Sequence, residues 1–220
     1  MALNTSWNLK KLIEILREES FDVLFINLPQ EFEPYLKKFK ELQRVATFYA
    51  QELNALESLI NNLKTYNLNI KLHCYVDNEH ARKKREIDTR LLNLVLKAKL
   101  GKTVVEEWKE TIMDDINSNK DFAEYEALSI IEKSGKNNAC IGLNEEIERF
   151  LIEEGYEVKR LQLYDFKRPI DKLYSLVKRE MRGEIIDNSE FVATIRQHIK
   201  FIDAVIEIGY EEACKIIWDI

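Results

Sequence analysis

Polar residues that can do chemistry cluster where apolar runs of this chain stop. Asn27 closes the run at 21–28, and Gln30 and Glu31 follow it; Asp77, Asn78, Glu79 and His80 follow the run at 70–76. Asn144 and Glu145 follow 139–143, and Tyr164 and Asp165 follow 157–163. In a parallel sheet ligands bind outside the carboxyl ends of the strands, so these positions are the first candidates for a site. Asp77, Glu79 and His80 supply the oxygen and nitrogen donors that a divalent metal takes, and Glu31 or Glu145 could then serve as general base. Without catalysis, Asn27, Glu31, Asp77, His80 and Asn144 would orient a ligand, while Arg82 and Arg85 neutralise its phosphate. The same residue types also serve in ordinary turns and caps.

Arg82 and Arg85 open the densest basic tract of the chain, with Lys83 and Lys84 between them and Arg90, Lys97, Lys99 and Lys102 beyond. Such a tract suits a nucleotide or a short oligonucleotide, and a cyclic-nucleotide or oligonucleotide sensor is one concrete version of a binding protein. Alternatively it is a solvated helix face with Glu86 and Asp88 as partners. The formal net charge of −6 argues against general coating of duplex DNA.

These residues need a frame, and the composition supplies an ordinary globular one. The 220 residues are 45% hydrophobic and 33% charged, with six Gly and three Pro, which excludes collagen-like and linker-like chains. Heavy use of Lys, Glu and Ile is in keeping with a thermophile. Three cysteines, Cys74, Cys140 and Cys214, make no CxxC pair and no disulfide framework. No signal peptide and no membrane-spanning run is legible, so the expected location is the cytoplasm. Phosphate-loop, GxGxxG, HExxH and GxSxG motifs are all missing.

The four apolar runs read as strands separated by helical patterns, which predicts an α/β fold: a mostly parallel, Rossmann-like sheet of about four or more strands flanked by helices. Within 139–163, Asn144 reads as an N-cap, Ile147, Phe150 and Leu151 as an apolar stripe, and Gly155 as a left-handed C-cap before the returning strand. Asp121 with Glu124 and Asp187 with Glu190 read as helix starts. The expected division is a sheet domain over 1–166 and a helical carboxyl-terminal extension over 167–220, packed on it or on a second subunit. Phe39, Leu42, Ala46, Tyr49, Leu53, Leu56, Ile60 and Leu63 are spaced 3 and 4 apart. Such a seam either dimerises the chain or bends and packs within its own domain.

The run Phe21-Asp22-Val23-Leu24-Phe25-Ile26-Asn27-Leu28-Pro29, a long helix and Tyr75-Val76-Asp77 resemble the TraB/PrgY and ChaN-like superfamily, whose first strand ends in a "PDVVxxELP"-type sequence. Asp121-Phe122-Ala123-Glu124 and Cys140-Ile141-Gly142-Leu143-Asn144 resemble its later helix and its "VVGxGH" strand end, so the similarity covers residues 8 to 164. That resemblance implies metal-dependent hydrolysis of peptides or esters, haem or iron handling, or pheromone control. The family's strand-end Glu is Asn27 here, its His position is Asn144 or Glu145, and its "GTxH" element is missing. The resemblance therefore implies a catalytically degenerate branch. Three readings follow: a binding protein for a small anionic or nucleotide-like ligand, a metal-dependent hydrolase using Asp77, Glu79 and His80, and a structural subunit of a larger assembly.

Overall fold

A computed structural model describes residues 5–45, 50–161, 163 and 167–218. Its elements, in chain order, are α1 (Ser6–Glu18), β1 (Val23–Pro29), a 3-10 helix (Gln30–Tyr35), α2 (Phe39–Val45), α3 (Ala50–Thr65), β2 (Lys71–Val76), α4 (Asn78–Lys99) and α5 (Val105–Lys133). After them come β3 (Asn138–Cys140), α6 (Glu145–Glu153), α7 (Pro169–Met181), α8 (Asn188–Ile208) and α9 (Tyr210–Trp218). The chain divides into two compact units, one of Met1–Arg82 with Asn119–Tyr164 and one of Lys83–Ser118 with Asp165–Ile220.

The first unit holds the sheet, three parallel strands in the order β2-β1-β3. Central strand β1 is buried at every position except Asn27. Alternation sends Leu24, Ile26 and Leu28 to one face, against Ile13 and Leu16 of α1 and Leu53, Leu56, Leu59 and Leu63 of α3. Val23 and Phe25 face the other side with Tyr75, under Ala123, Ala127 and Ile130 of α5 and Ile147 and Leu151 of α6. The outer edge of β2 is closed by the 3-10 helix. Glu33 accepts the Cys74 N–H at 3.0 Å, contacts His73 Nδ1 at 3.0 Å and pairs with Lys133 at 2.9 Å. Partial burial works to raise the Glu33 pKa, but Lys133, His73 and the Cys74 N–H together hold it below the ordinary carboxylate value.

The second unit is helical. Leu94 and Val95 of α4, Trp108, Ile112 and Ile116 of α5, Leu173, Leu176 and Val177 of α7 and Phe191 and Ile195 of α8 form its core. Asp187 caps α8 as its sequence predicts, accepting the Ser189 N–H. The helical body thus draws on 83–118 as well as on the carboxyl-terminal segment.

Two expectations are corrected, and the choice between the seam's two alternatives is decided in favour of packing within its own unit. Among the described residues the sheet has three strands, not four or more: residues 157–161 make no ladder. A strand buried on both faces needs a near-continuous apolar run, and Glu157-Val158-Lys159-Arg160-Leu161 offers only Val158, which packs against the core that includes α6, and an exposed Leu161, while Arg160 is drawn to Glu148. The seam at 39–63 is two helices, and its leucines are inside: Leu42, Leu53, Leu56 and Leu63 belong to the sheet unit's core, which leaves them no face for a partner. Ala46 and Tyr49 of the seam lie outside the described residues. Finally, no helix starts at Asp121, because α5 runs unbroken for 29 residues through it. Among the described residues no helix is long and apolar enough to cross a membrane.

Candidate functional site

At the carboxyl edge of the sheet β1 loses β3 before it loses β2. Pairing of β1 with β3 stops at Phe25↔Cys140, closed by Ile141 N–H to Phe25 C=O at 2.9 Å, whereas pairing with β2 reaches Pro29↔Val76 after an irregularity past Ile26. The chain leaves β1 towards β2 and leaves β3 into α6, so the ends of β1 and β3 are the topological switch point, where such sheets bind ligands. Asn27 stands there. Its neighbours Ile26 and Leu28 point into the opposite core, which places Asn27 on the α5 and α6 face, exposed where the rest of β1 is buried.

Gly142 forms the other wall. Its φ is +73°, and a Cβ at this position would meet Asn27 Nδ2 at 2.8 Å and Asn27 Cβ at 3.3 Å. The Asn27 amide N–H reaches the Gly142 carbonyl only at the long distance of 3.5 Å. Between the strands, Tyr75 reaches across from β2 and donates its hydroxyl to the Ile141 carbonyl at 3.2 Å. Burial pushes the Tyr75 hydroxyl well above its ordinary pKa, and Cys140 and Glu126 add to that. Burial likewise pushes the Cys140 thiol up to about 12, although part of the residue is open to solvent.

On the β2 side the loop is tied to α5. Asp77 Oδ1 accepts the Glu79 and His80 N–H groups at 2.8 and 3.1 Å, which caps α4 and fixes His80 in its first turn. Glu126 Oε1 accepts the Asp77 N–H at 3.0 Å and lies 2.6 Å from His80 Nδ1. The His80 ring stacks on Phe122, centroids 4.9 Å apart and planes 4° from parallel. With side chains 5% and 1% exposed, His80 and Glu126 form a buried dyad. The carboxylate acceptor places the proton on Nδ1, and no group among the described residues hydrogen-bonds to Nε2.

The other expected residues fall apart from this arrangement. Glu31 is exposed, and its N–H is engaged by Asn78 Oδ1 at 3.0 Å. Asn144 caps α6, accepting from Glu146 and Ile147, and Glu145 is exposed at the start of that helix. The expected metal set does not assemble: Asp77 is a cap, Glu79 lies out in solvent 3.6 Å from Arg82, and His80 is turned to Glu126. Among the described residues no group of three or more His, Cys, Asp or Glu side chains is placed to hold a metal ion. Tyr164 and Asp165 lie outside the described residues.

The basic tract is largely an internal ladder. Lys84 holds the buried Asp115 at 2.7 Å, Arg90 pairs with Asp114 at 2.7 Å, Lys97 with Glu107 at 2.7 Å and Lys99 with Asp203 at 2.5 Å. Arg82 is solvent-exposed beside Glu79, and Arg85 is partly buried. Glu126, Tyr75 and Phe122 are the site residues that reading strand ends alone misses. A signal existed for Glu126, a carboxylate on the Ala123, Ala127, Ile130 stripe where an apolar residue belongs. No protein-family model, no curated protein and no solved structure matches this chain.

Proposed function

We propose that this chain is a binding protein without catalytic chemistry of its own, and that its sheet-bearing unit takes a small, polar, nucleoside-like ligand at the crevice beyond Phe25 and Cys140. The observation that carries this reading is Asn27: an exposed amide on an otherwise buried central strand, at the switch point, packed on a glycine whose missing side chain makes room for it. A carboxamide presents a donor and an acceptor side by side, the pattern that reads a base edge.

Several features support binding over catalysis. A thiol with a pKa near 12 is no nucleophile at neutral pH, and Asp77 and Asn144 already cap helices. The pairing of Lys84, Arg90, Lys97 and Lys99 with acidic residues favours recognition of the uncharged part of a ligand over its phosphates. In terms of the TraB/PrgY and ChaN-like resemblance, the reading makes this chain a branch that binds without hydrolysing, with Asn27 and Asn144 at the reactive positions.

The test is thermal unfolding of the full chain with adenosine, AMP, ATP, a short oligoadenylate and manganese. A ligand at 100 times its Kd stabilises by about 2.7 kcal/mol, a shift of several degrees. Adenosine should raise Tm for the native chain and not for Asn27→Leu; no shift with any compound, or one indifferent to Asn27→Leu, would overturn the reading.

A second reading, a subunit of an assembly, rests on one observation in the helical unit. Leu92 and Leu96 on α4 and Leu100 just past its end, four residues apart, are 57%, 51% and 80% exposed. Sedimentation of the native chain against Leu96→Glu tests it, because only an interface through these leucines makes the variant lighter.

A further inference from the structure

The structural task of the His80–Glu126 dyad is done at Nδ1, which ties the first turn of α4 to Glu126 and leaves Nε2 unassigned. Glu126 already ties the loop after β2 to α5 through the Asp77 N–H, and stacking on Phe122 would be available to any flat ring. What no contact accounts for is Nε2, a nitrogen with less than 1 Å² of exposure and no hydrogen-bond partner among the described residues. Buried polar atoms of folded proteins are nearly always satisfied, so an orphan of this kind marks a group that something else completes.

We infer that His80 Nε2 is the buried recognition point of the carboxyl-edge site, and that it accepts a hydrogen bond from an O–H or N–H of an uncharged ligand. The inference rests on the binding reading above and narrows it to a chemical class. Two arguments set the class. With Nδ1–H donated to a carboxylate, the neutral imidazole has only a lone pair on Nε2, so the ligand must bring the donor hydrogen. Two carboxylates lie beside His80: Glu126 at 2.6 Å from Nδ1, and Asp77, whose carboxylate caps the turn that carries it. A phosphate placed here would face both carboxylates, whereas a ribose hydroxyl or a base amine faces no penalty.

Phe122 lies flat on one face of the imidazole, fixes the plane in which Nε2 presents its edge, and is itself only partly buried. Phe122 is then a positioning residue, and His80 is the residue that touches ligand.

The direct test is nitrogen NMR of the histidine side chains in the full chain, free and with saturating adenosine, alongside titrations with adenosine and AMP. Three histidines keep assignment simple. His73→Gln removes the partly exposed one, and His198 is recognised by a titration point near 4. In the free protein His80 should carry its proton on Nδ1 and none on Nε2. Adenosine should shift the Nε2 resonance while Nδ1 stays protonated, and should bind at least tenfold tighter than AMP. A proton on Nε2 in the free chain would overturn the inference. So would adenosine that raises Tm but leaves Nε2 unmoved, or AMP binding as tightly as adenosine; in both cases the binding reading stands. If no compound of the panel changes Tm or any histidine resonance, the binding reading falls and this inference falls with it.

Discussion

His80 Nδ1 and Glu126 Oε1 stand 2.6 Å apart with neither side chain open to solvent, and the same carboxylate oxygen holds the Asp77 N–H at 3.0 Å. One buried oxygen therefore fixes both the first turn of α4 and the loop that ends β2. Removing one partner of a buried pair costs about 3–5 kcal/mol, because the other is left without compensation. Glu126→Ala should lose on that order in denaturant unfolding, whereas Glu126→Gln keeps an acceptor and should lose less than half as much. Equal losses would show that the carboxylate charge, and not the hydrogen bonds, is what the site needs.

Gly142 makes a separate prediction. A side chain there meets Asn27 at 2.8 Å and must sit at φ +73°, a conformation costing a non-glycine residue about 1–2 kcal/mol. Gly142→Ala should lower stability by at least that amount. In Asn27→Ala/Gly142→Ala the Nδ2 clash is gone and part of the loss should return. Equal losses with and without Asn27 would mean that the two residues do not share the crevice wall.

The strand ends and caps were legible because each leaves a local signature: Asn144 and Asp187 cap helices as their spacing predicts, and β1 and β2 are compact apolar runs. What the sequence hides depends on residues distant in the chain. His80 reads as a strand-end ligand until Glu126, 46 positions later, is seen to claim its Nδ1. Lys84 reads as a phosphate contact until α5 brings Asp115 beneath it. The seam at 39–63 has the spacing of a dimer interface, and only tertiary packing decides that its leucines fill the chain's own core. Residues 157–161 fail as a strand because strand formation needs a partner edge and two apolar faces, which charge density at three of five positions denies them.

His198 gives the helical unit a pH dependence. Burial, helped by Arg168 and opposed by Asp171, pushes its pKa down from 6.5 to about 4. Its Nδ1 is buried without a hydrogen-bond partner among the described residues, and its ring meets Trp108 edge-on at 6.0 Å. The folded state keeps the imidazole neutral while the unfolded chain takes up a proton below pH 6.5. This group's contribution is therefore intact above that pH and is lost progressively as pH falls towards 4, by about 3 kcal/mol in total at 1.36 kcal/mol per unit. Unfolding free energies from pH 7 to 4 should show this slope in the native chain, and His198→Leu should flatten it. An unchanged slope in the variant would assign the acid sensitivity to other groups.

Asp115 predicts a third kind of loss. Buried at the centre of the α4–α5 ladder, it accepts from Lys84 at 2.7 and 2.8 Å and from the Tyr174 hydroxyl at 2.7 Å. Tyr174→Phe removes one donor and should cost about 1–2 kcal/mol. Lys84→Met leaves the carboxylate without its cation and should cost more. Urea unfolding of the two variants ranks them, and the reverse order would show the ladder to be a surface feature.

The claim on which the account turns is that the ends of β1, β2 and β3 share a ligand, and hydrogen exchange of the full chain with and without saturating adenosine reads it most directly. Protection should appear together in peptides covering 27–31, 77–82 and 141–145, with the helical core around Trp108 and Phe191 unchanged. Binding that protects other peptides, or protects one strand end alone, would contradict a carboxyl-edge site.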